Sequence, residues 1–229
     1  MLTSMTNYAQ DEDIALRASA DFPILCPKDQ KLTWGNDGAF ASTDPWTLTS
    51  AAVNFLANGL SPGQIVQLTK PVSSFRPPGE MLVIASVSAL GIVLGRKGEL
   101  PGVGQAPGGP NGLSNVEFVV NTLGPQIALA SYDLNRRYGI NDFVLGQRSS
   151  DLFDPREVME ATVLTVLYRQ YLAVSQSGEG QQDMFASKAR SMKDELDELL
   201  ARVVVHWKPT AGPTGGPGAT SRFSARLTR

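Results

Sequence analysis

The chain has 229 residues and a formal net charge of -2, with 42% hydrophobic and 18% charged residues. That is enough for one large domain or two small ones, and too apolar for global disorder. A single Cys and a single His exclude an internal disulfide framework and a Cys/His zinc site, leaving only carboxylates as metal ligands.

The most apolar stretch, Met81 to Leu94, is broken by Ser86, Ser88 and Gly91 and is too short to cross a bilayer. The opening MLTSMTNYAQ lacks the basic-then-apolar order of a secretion signal. Charge is distributed as -4 over residues 1–60, +2 over 61–110, -3 over 111–208 and +3 over 209–229. This is not the strongly basic balance of a dedicated nucleic-acid-binding domain.

Taken in chain order, the acidic run Asp11, Glu12, Asp13 leads into Ile14, Ala15, Leu16 and Ala18, a weak helix or an arm. No period holds from Asp21 to Asp44, and Asn36-Asp37-Gly38 reads as a turn. Leu48, Ala51, Ala52, Phe55 and Leu56 recur at helical spacing before Asn58-Gly59, which predicts a short helix over 47–57. Strands are predicted at Ile65–Lys70, Glu80–Val87, Gly91–Leu94 and Val116–Val120 from alternation and β-branched content. Four short strands can close a small barrel or curl into a sheet.

Between the last two lies Gly95–Ser114, with seven Gly and three Pro. It fits neither GxxxxGK[ST] nor a strand-to-helix GxGxxG, so it reads as an extended loop or surface arm.

Three helices follow. The first spans Thr122–Gly139, with Thr122 as N-cap, Pro125 in the first turn, and Arg136 and Arg137 before a terminal Gly. In the second, Asp154, Pro155 and Glu157 carry the spacing of a capping box, and the helix runs to about Val174. Its apolar residues, Leu164 and Leu167 among them, surround most of the circumference, so either the other elements enclose it or it enters a subunit interface. The third, Asp183–Val205, carries a single stripe of Phe185, Ala189, Met192, Leu196, Leu199 and Val203. Residues 209–229 are too rich in Pro and Gly for a core element. They end in Arg222, Phe223, Arg226, Leu227 and Arg229, apolar and basic anchors suited to a partner.

Chemistry is sparse. His206 and Cys26 stand without a catalytic partner in the sequence pattern. Asp151 with Asp154, Asp11 with Asp13, and DELDEL match neither a calcium loop nor a zinc helix. Arg136, Arg137 and Arg148 suit a helix end or salt bridges better than DNA phosphate. Trp34 and Trp46 suit an interface or a core anchor.

The succession TLGPQIALASYDLNRRYGIND, DLFDPREVMEATVLTVLYRQYLA, a GEG turn and FASKARSMKDELDELLARV, within Thr122–Trp207, resembles the adaptor-type head–tail connector proteins of tailed bacteriophages. The resemblance implies a structural virion protein of the neck region, assembled in the host cytoplasm, without catalysis or cofactor. It further implies a ring of typically twelve copies contacting the portal and neighbouring neck or tail proteins, with DNA passing through and no membrane. The β-rich part departs from a minimal helical adaptor and admits a head-closure or tail-terminator component. Two readings from other classes are a metal-dependent hydrolase using carboxylates and loop 95–114, and a non-viral interaction module.

The expected fold is therefore α+β. It comprises an N-terminal arm with short helices (1–59), a small barrel-like or curled β-rich domain (60–121), an α-helical adaptor-like domain (122–208) and an extended C-terminal arm (209–229). Interface candidates are Leu164, Leu167, Gly102, Gly104, Arg222, Phe223, Arg226, Leu227 and Arg229; no catalytic, cofactor or metal residue is assigned.

Overall fold

The computed structural model describes residues 6–75, 79–144, 147–177 and 182–208, together with the backbone of 224–225. The fold is mixed α+β, and the chain divides into two compact units, residues 10–124 and residues 1–9 with 125–229.

The first unit begins with helix α1 (Asp11–Arg17), the single turn α2 (Phe22–Leu25) and a 3-10 turn at Lys28–Gln30. Strands β1 (Lys31–Ala41), β2 (Asp44–Thr49), β3 (Ile65–Lys70), β4 (Glu80–Val87), β5 (Gly91–Gly95) and β6 (Leu113–Asn121) follow. They close an antiparallel barrel in the order β1-β2-β5-β4-β3-β6, with β6 pairing back onto β1. Closure gives every strand of the barrel a partner on each side over at least part of its length. Alternation fills the interior: Val66 and Leu68, Leu82 and Ile84, Ile92 and Leu94, and Val116, Phe118 and Val120 are all buried in one cluster.

Two strands were not expected. Residues 31–49 form β1 and β2, so the segment read as an arm with short helices contributes a third of the barrel wall. Asn36-Asp37-Gly38 lies inside β1, where the pairing with β6 shifts register between Gly35 and Gly38, and is an irregular strand rather than a turn. The glycines are needed because an added Cβ would come within 2.6 Å of the Phe118 ring at Gly35 and within 2.8 Å of the Val116 carbonyl at Gly38. Nor does a helix form at 47–57. Leu48 ends its strand facing inward, and Phe55 enters the same core from the turns that follow, its ring 5.7 Å from that of Phe118. Two residues bound for one barrel interior thus mimic helical spacing.

The second unit is helical: α3 (Gly124–Tyr138), which opens at the division between the units, α4 (Arg156–Gln176) and α5 (Gln182–Arg202). The Thr122 hydroxyl accepts the Gly124 N–H at 2.9 Å. At the other end Gly139 takes φ +67° and Ile140 N–H reaches the Asn135 carbonyl at 2.9 Å, a 6→1 closure that glycine makes available. The expected capping box at 154–157 does not form. The Asp154 carboxylate instead accepts the Arg156 N–H at 3.0 Å and its guanidinium at 2.7 Å, and these bonds hold its pKa down at about 2.

Val158, Ala161, Leu164 and Tyr138 form one core with Leu134, Leu196, Leu199 and Val203. Helix α4 is buried around most of its circumference, and its Thr162 and Thr165 hydroxyls are satisfied by donating to the carbonyls of Val158 and Ala161 at 2.8 and 2.7 Å. The α5 stripe buries as spaced at Phe185, Ala189, Leu196 and Leu199. After Arg202 the chain leaves the helix for strand β7 (Val205–His206), which pairs antiparallel with β8 (Ser224–Ala225). Through this pair the arm's Ser224–Ala225 backbone lies against β7 of its own chain.

Substituting Gly35→Ala should lower stability by about 1–3 kcal/mol, the usual cost of overpacking. Adding Phe118→Leu should recover part of that loss, because the two positions share one space. Urea midpoints of the two single variants and the double variant check this, and strictly additive losses would contradict the packing.

Candidate functional site

The most elaborate polar surface lies in the barrel unit, where the strand ends meet the glycine-rich loop. Only part of that loop is an open arm. Arg96 donates to Glu80 Oε1 at 3.0 Å and to the Gln105 carbonyl at 2.6 Å, tying the loop to β4. Gly98 N–H reaches Glu12 Oε1 at 2.8 Å, and Gly108 N–H reaches the Pro45 carbonyl at 3.0 Å. Pro107 and Gly108 are buried, because a Cβ at Gly108 would lie 2.5 Å from that of Phe40. Gly102 and Gly104 sit in the exposed turns between these ties with φ of +81° and +86°, conformations that glycine adopts without strain. Their conformational need lies within the loop itself.

Folding the loop back leaves a cleft of about 670 Å³ lined by Arg96, Lys97, Glu80, Ser19, Ser73 and Ser74, with Gly79, Gly108 and Gly109 among its walls. Lys97 donates to the Ser19 hydroxyl. Partial burial pushes its pKa below the ordinary lysine value. Apart from loop 95–114, the sequence pattern did not single out these residues. The available signal was the Arg96-Lys97 pair at a strand end within the one segment before the tail that carries net positive charge.

Two carboxylates of this unit serve as anchors. Asp37 accepts the Ser50 hydroxyl at 2.8 Å and the N–H groups of Ala51 and Ala52 at 2.9 Å each. Led by the Ala52 N–H, these bonds hold its pKa below the usual carboxylate range and fix the start of the connection that brings Phe55 into the core. Asp11 is 3% exposed and accepts the Leu123 N–H at 2.7 Å. Burial pushes its carboxyl up to about 6, against the pull of hydrogen bonds from Thr122 and Leu123. Burial also raises the Cys26 thiol well above its ordinary value, with the Asp11 charge adding to the effect, so the thiolate a nucleophile requires is disfavoured.

Comparison with protein-family profiles, with curated proteins and with solved structures finds no match.

The remaining sequence candidates scatter. In the helical unit, Asp151 Oδ2 accepts the Arg148 N–H at 3.2 Å, while Asp154 is taken by Arg156. Among the described residues no three His, Cys, Asp or Glu side chains converge as metal ligands. His206 is exposed on β7, its carbonyl accepting the Phe153 N–H at 2.8 Å. Arg136 lies over the Tyr132 ring at 5.8 Å, and Lys31 over the exposed Trp34 at 5.5 Å. Leu164 and Leu167 are buried in the chain as it stands, Leu164 within the α4–α5 core, because α4 is enclosed on most sides. Arg222, Phe223, Arg226, Leu227 and Arg229 lie outside the described residues.

The helical unit also leaves large apolar side chains exposed. Leu129 and Tyr132 stand one turn apart on α3, and Leu172 is on α4, one turn past the Arg169 that pairs with Asp133 at 2.7 Å. Phe143 (76% exposed) and Phe153 (71%) lie on the connection from α3 to α4.

The Asp11 carboxyl makes stability depend on pH in a definite direction. Its folded pKa of about 6 exceeds the unfolded value near 3.8, so between these values the folded state holds a proton the unfolded state has released. Stability from this group therefore falls as pH rises through that window, by at most about 3 kcal/mol. Asp11→Asn should gain about 1–3 kcal/mol over the parent at pH 7, with the advantage vanishing near pH 4. Thermal unfolding of both proteins across this range reads it, and a constant difference would contradict it.

Proposed function

We propose that this chain is a structural subunit of a ring-shaped connector in a tailed-virus particle, adapting one ring of the neck to the next and acting by assembly alone. The observation that carries the reading is the exposed apolar surface of the helical unit: Leu129, Tyr132 and Leu172 on the helices and Phe143 and Phe153 on their connection. Large aromatic side chains left in water on an otherwise well-packed unit are the usual material of an interface core. The α3, α4 and α5 succession gives the reading its second support, since it follows the order of helices in the connector-like sequence segment. In this role the enclosed α4 is the rigid support of the subunit, and the exposed residues of α3 and of the connection face other subunits.

The family resemblance sets the expected stoichiometry at about twelve copies around a passage for DNA. The portal and a neighbouring neck or tail protein are the expected contacts above and below. Barrel and loop would then serve as a module carried by the ring rather than as the ring-forming part.

Native mass spectrometry and negative-stain images of concentrated full-length protein test the proposal. Closed rings are expected, and Leu129→Asp with Tyr132→Asp should shift the protein to monomer while circular dichroism keeps its helical signal. A wild-type protein that stays monomeric at every concentration, or a double variant that still forms rings, would overturn it.

A further inference from the structure

We infer that the cleft between β4, the Arg96–Lys97 strand end and the glycine-rich loop binds a phosphate group, with Lys97 as its charge partner and Ser19, Ser73 and Ser74 as hydroxyl donors. The inference does not depend on the connector reading.

Among the described residues, Glu80, Arg96 and Lys97 are the charged ones that line the cleft, and Arg96 is neutralised by Glu80 at 3.0 Å. Two further acids stand nearby without lining it: Glu12 accepts the Gly98 N–H at 2.8 Å, and Glu99 flanks the Gly104 turn. Lys97 has the Ser19 hydroxyl as its partner and no carboxylate among the described residues. Among its described residues the cleft therefore carries one uncompensated positive charge. Such a cation, withdrawn partly from water, is stabilised by an arriving anion. The lowered pKa of Lys97 reports the cost that an anion would relieve.

The walls narrow the class of anion. Ser73 and Ser74 are exposed into this space, and Ser19 completes a set of three hydroxyls. One ammonium and three hydroxyls can serve the several peripheral oxygens of a phosphate, and lysine binds phosphate as a point charge. Gly109 at φ +62° has open space where a Cβ would project, so the backbone there admits close approach by a ligand. The volume of about 670 Å³ falls within the range of small-molecule sites and exceeds the need of inorganic phosphate. The group recognised is thus a phosphate carried on a polar body, either a small ester or a nucleic-acid strand.

Calorimetric titration of the full-length protein with inorganic phosphate, with glycerol phosphate and with a short single-stranded DNA tests the site and separates its sources. Saturable binding of inorganic phosphate is expected, weakened about tenfold or more by Lys97→Gln, as for loss of one charge-assisted hydrogen bond, and kept by Lys97→Arg. Ser73→Ala with Ser74→Ala should weaken it as well, with the circular dichroism of every variant unchanged. Tighter binding of glycerol phosphate marks a small ester as the ligand; tighter binding of DNA that is lost in Lys97→Gln marks a nucleic-acid strand. Failure of all three probes to bind, or equal binding by wild type and Lys97→Gln, would overturn the inference.

Discussion

Closing six short strands into a barrel forces β1 to bend through the irregular stretch between Gly35 and Gly38, and the Phe118 ring occupies the space those glycines leave. Much of the unit depends on that one packing arrangement. Phe55 can fill the interior because Phe118 is held against β1, and Asp37 fixes the turns that deliver Phe55. The β1–β2 end is further constrained by the loop, since Gly108 packs on Phe40 and its N–H is received by Pro45.

The helical unit is built from three long helices around one apolar core. Its most apolar helix is enclosed over most of its circumference, its single-stripe helix α5 packs as spaced, and exposed apolar residues remain on α3, on the connection to α4 and singly on α4 and α5. Burying such residues in an interface is favourable by roughly 25 cal/mol per Å² removed from water, less the cost of ordering the partners. The proposed division of labour follows: a helical unit that associates, and a barrel unit that presents a polar cleft.

Much of this was legible in the sequence where one rule governed one element. Strand β3 alternates and β4 is a β-rich run, and both were delimited as they occur; α3 and α5 announced themselves through Pro125, Gly139 and the Phe185 stripe. The failures have a common physical origin. In β1 and β2 the residues Gly35, Gly38 and Pro45 interrupt the period of two because the partner strand and loop need the space, which is a property of neighbours distant in sequence. Leu48 and Phe55 share a barrel interior rather than a helix face. The polar cleft was still less visible, since Ser19, the Ser73–Ser74 pair and Lys97 come from three separate stretches of chain and no spacing links them. The broad apolar circumference of α4 admitted both an enclosed helix and an interface; the structure buries Leu164 and Leu167 and exposes Leu129, Tyr132, Phe143 and Phe153 instead.

The claim that the protein associates through its helical unit is tested most directly by hydrogen–deuterium exchange of the full-length protein at increasing concentration. Amides of α3 around Leu129 and Tyr132, and of the connection around Phe143 and Phe153, should gain protection as the protein assembles, while those of β3 to β6 stay unchanged. Protection gained in the barrel strands, or none gained in the helical unit, would contradict the account.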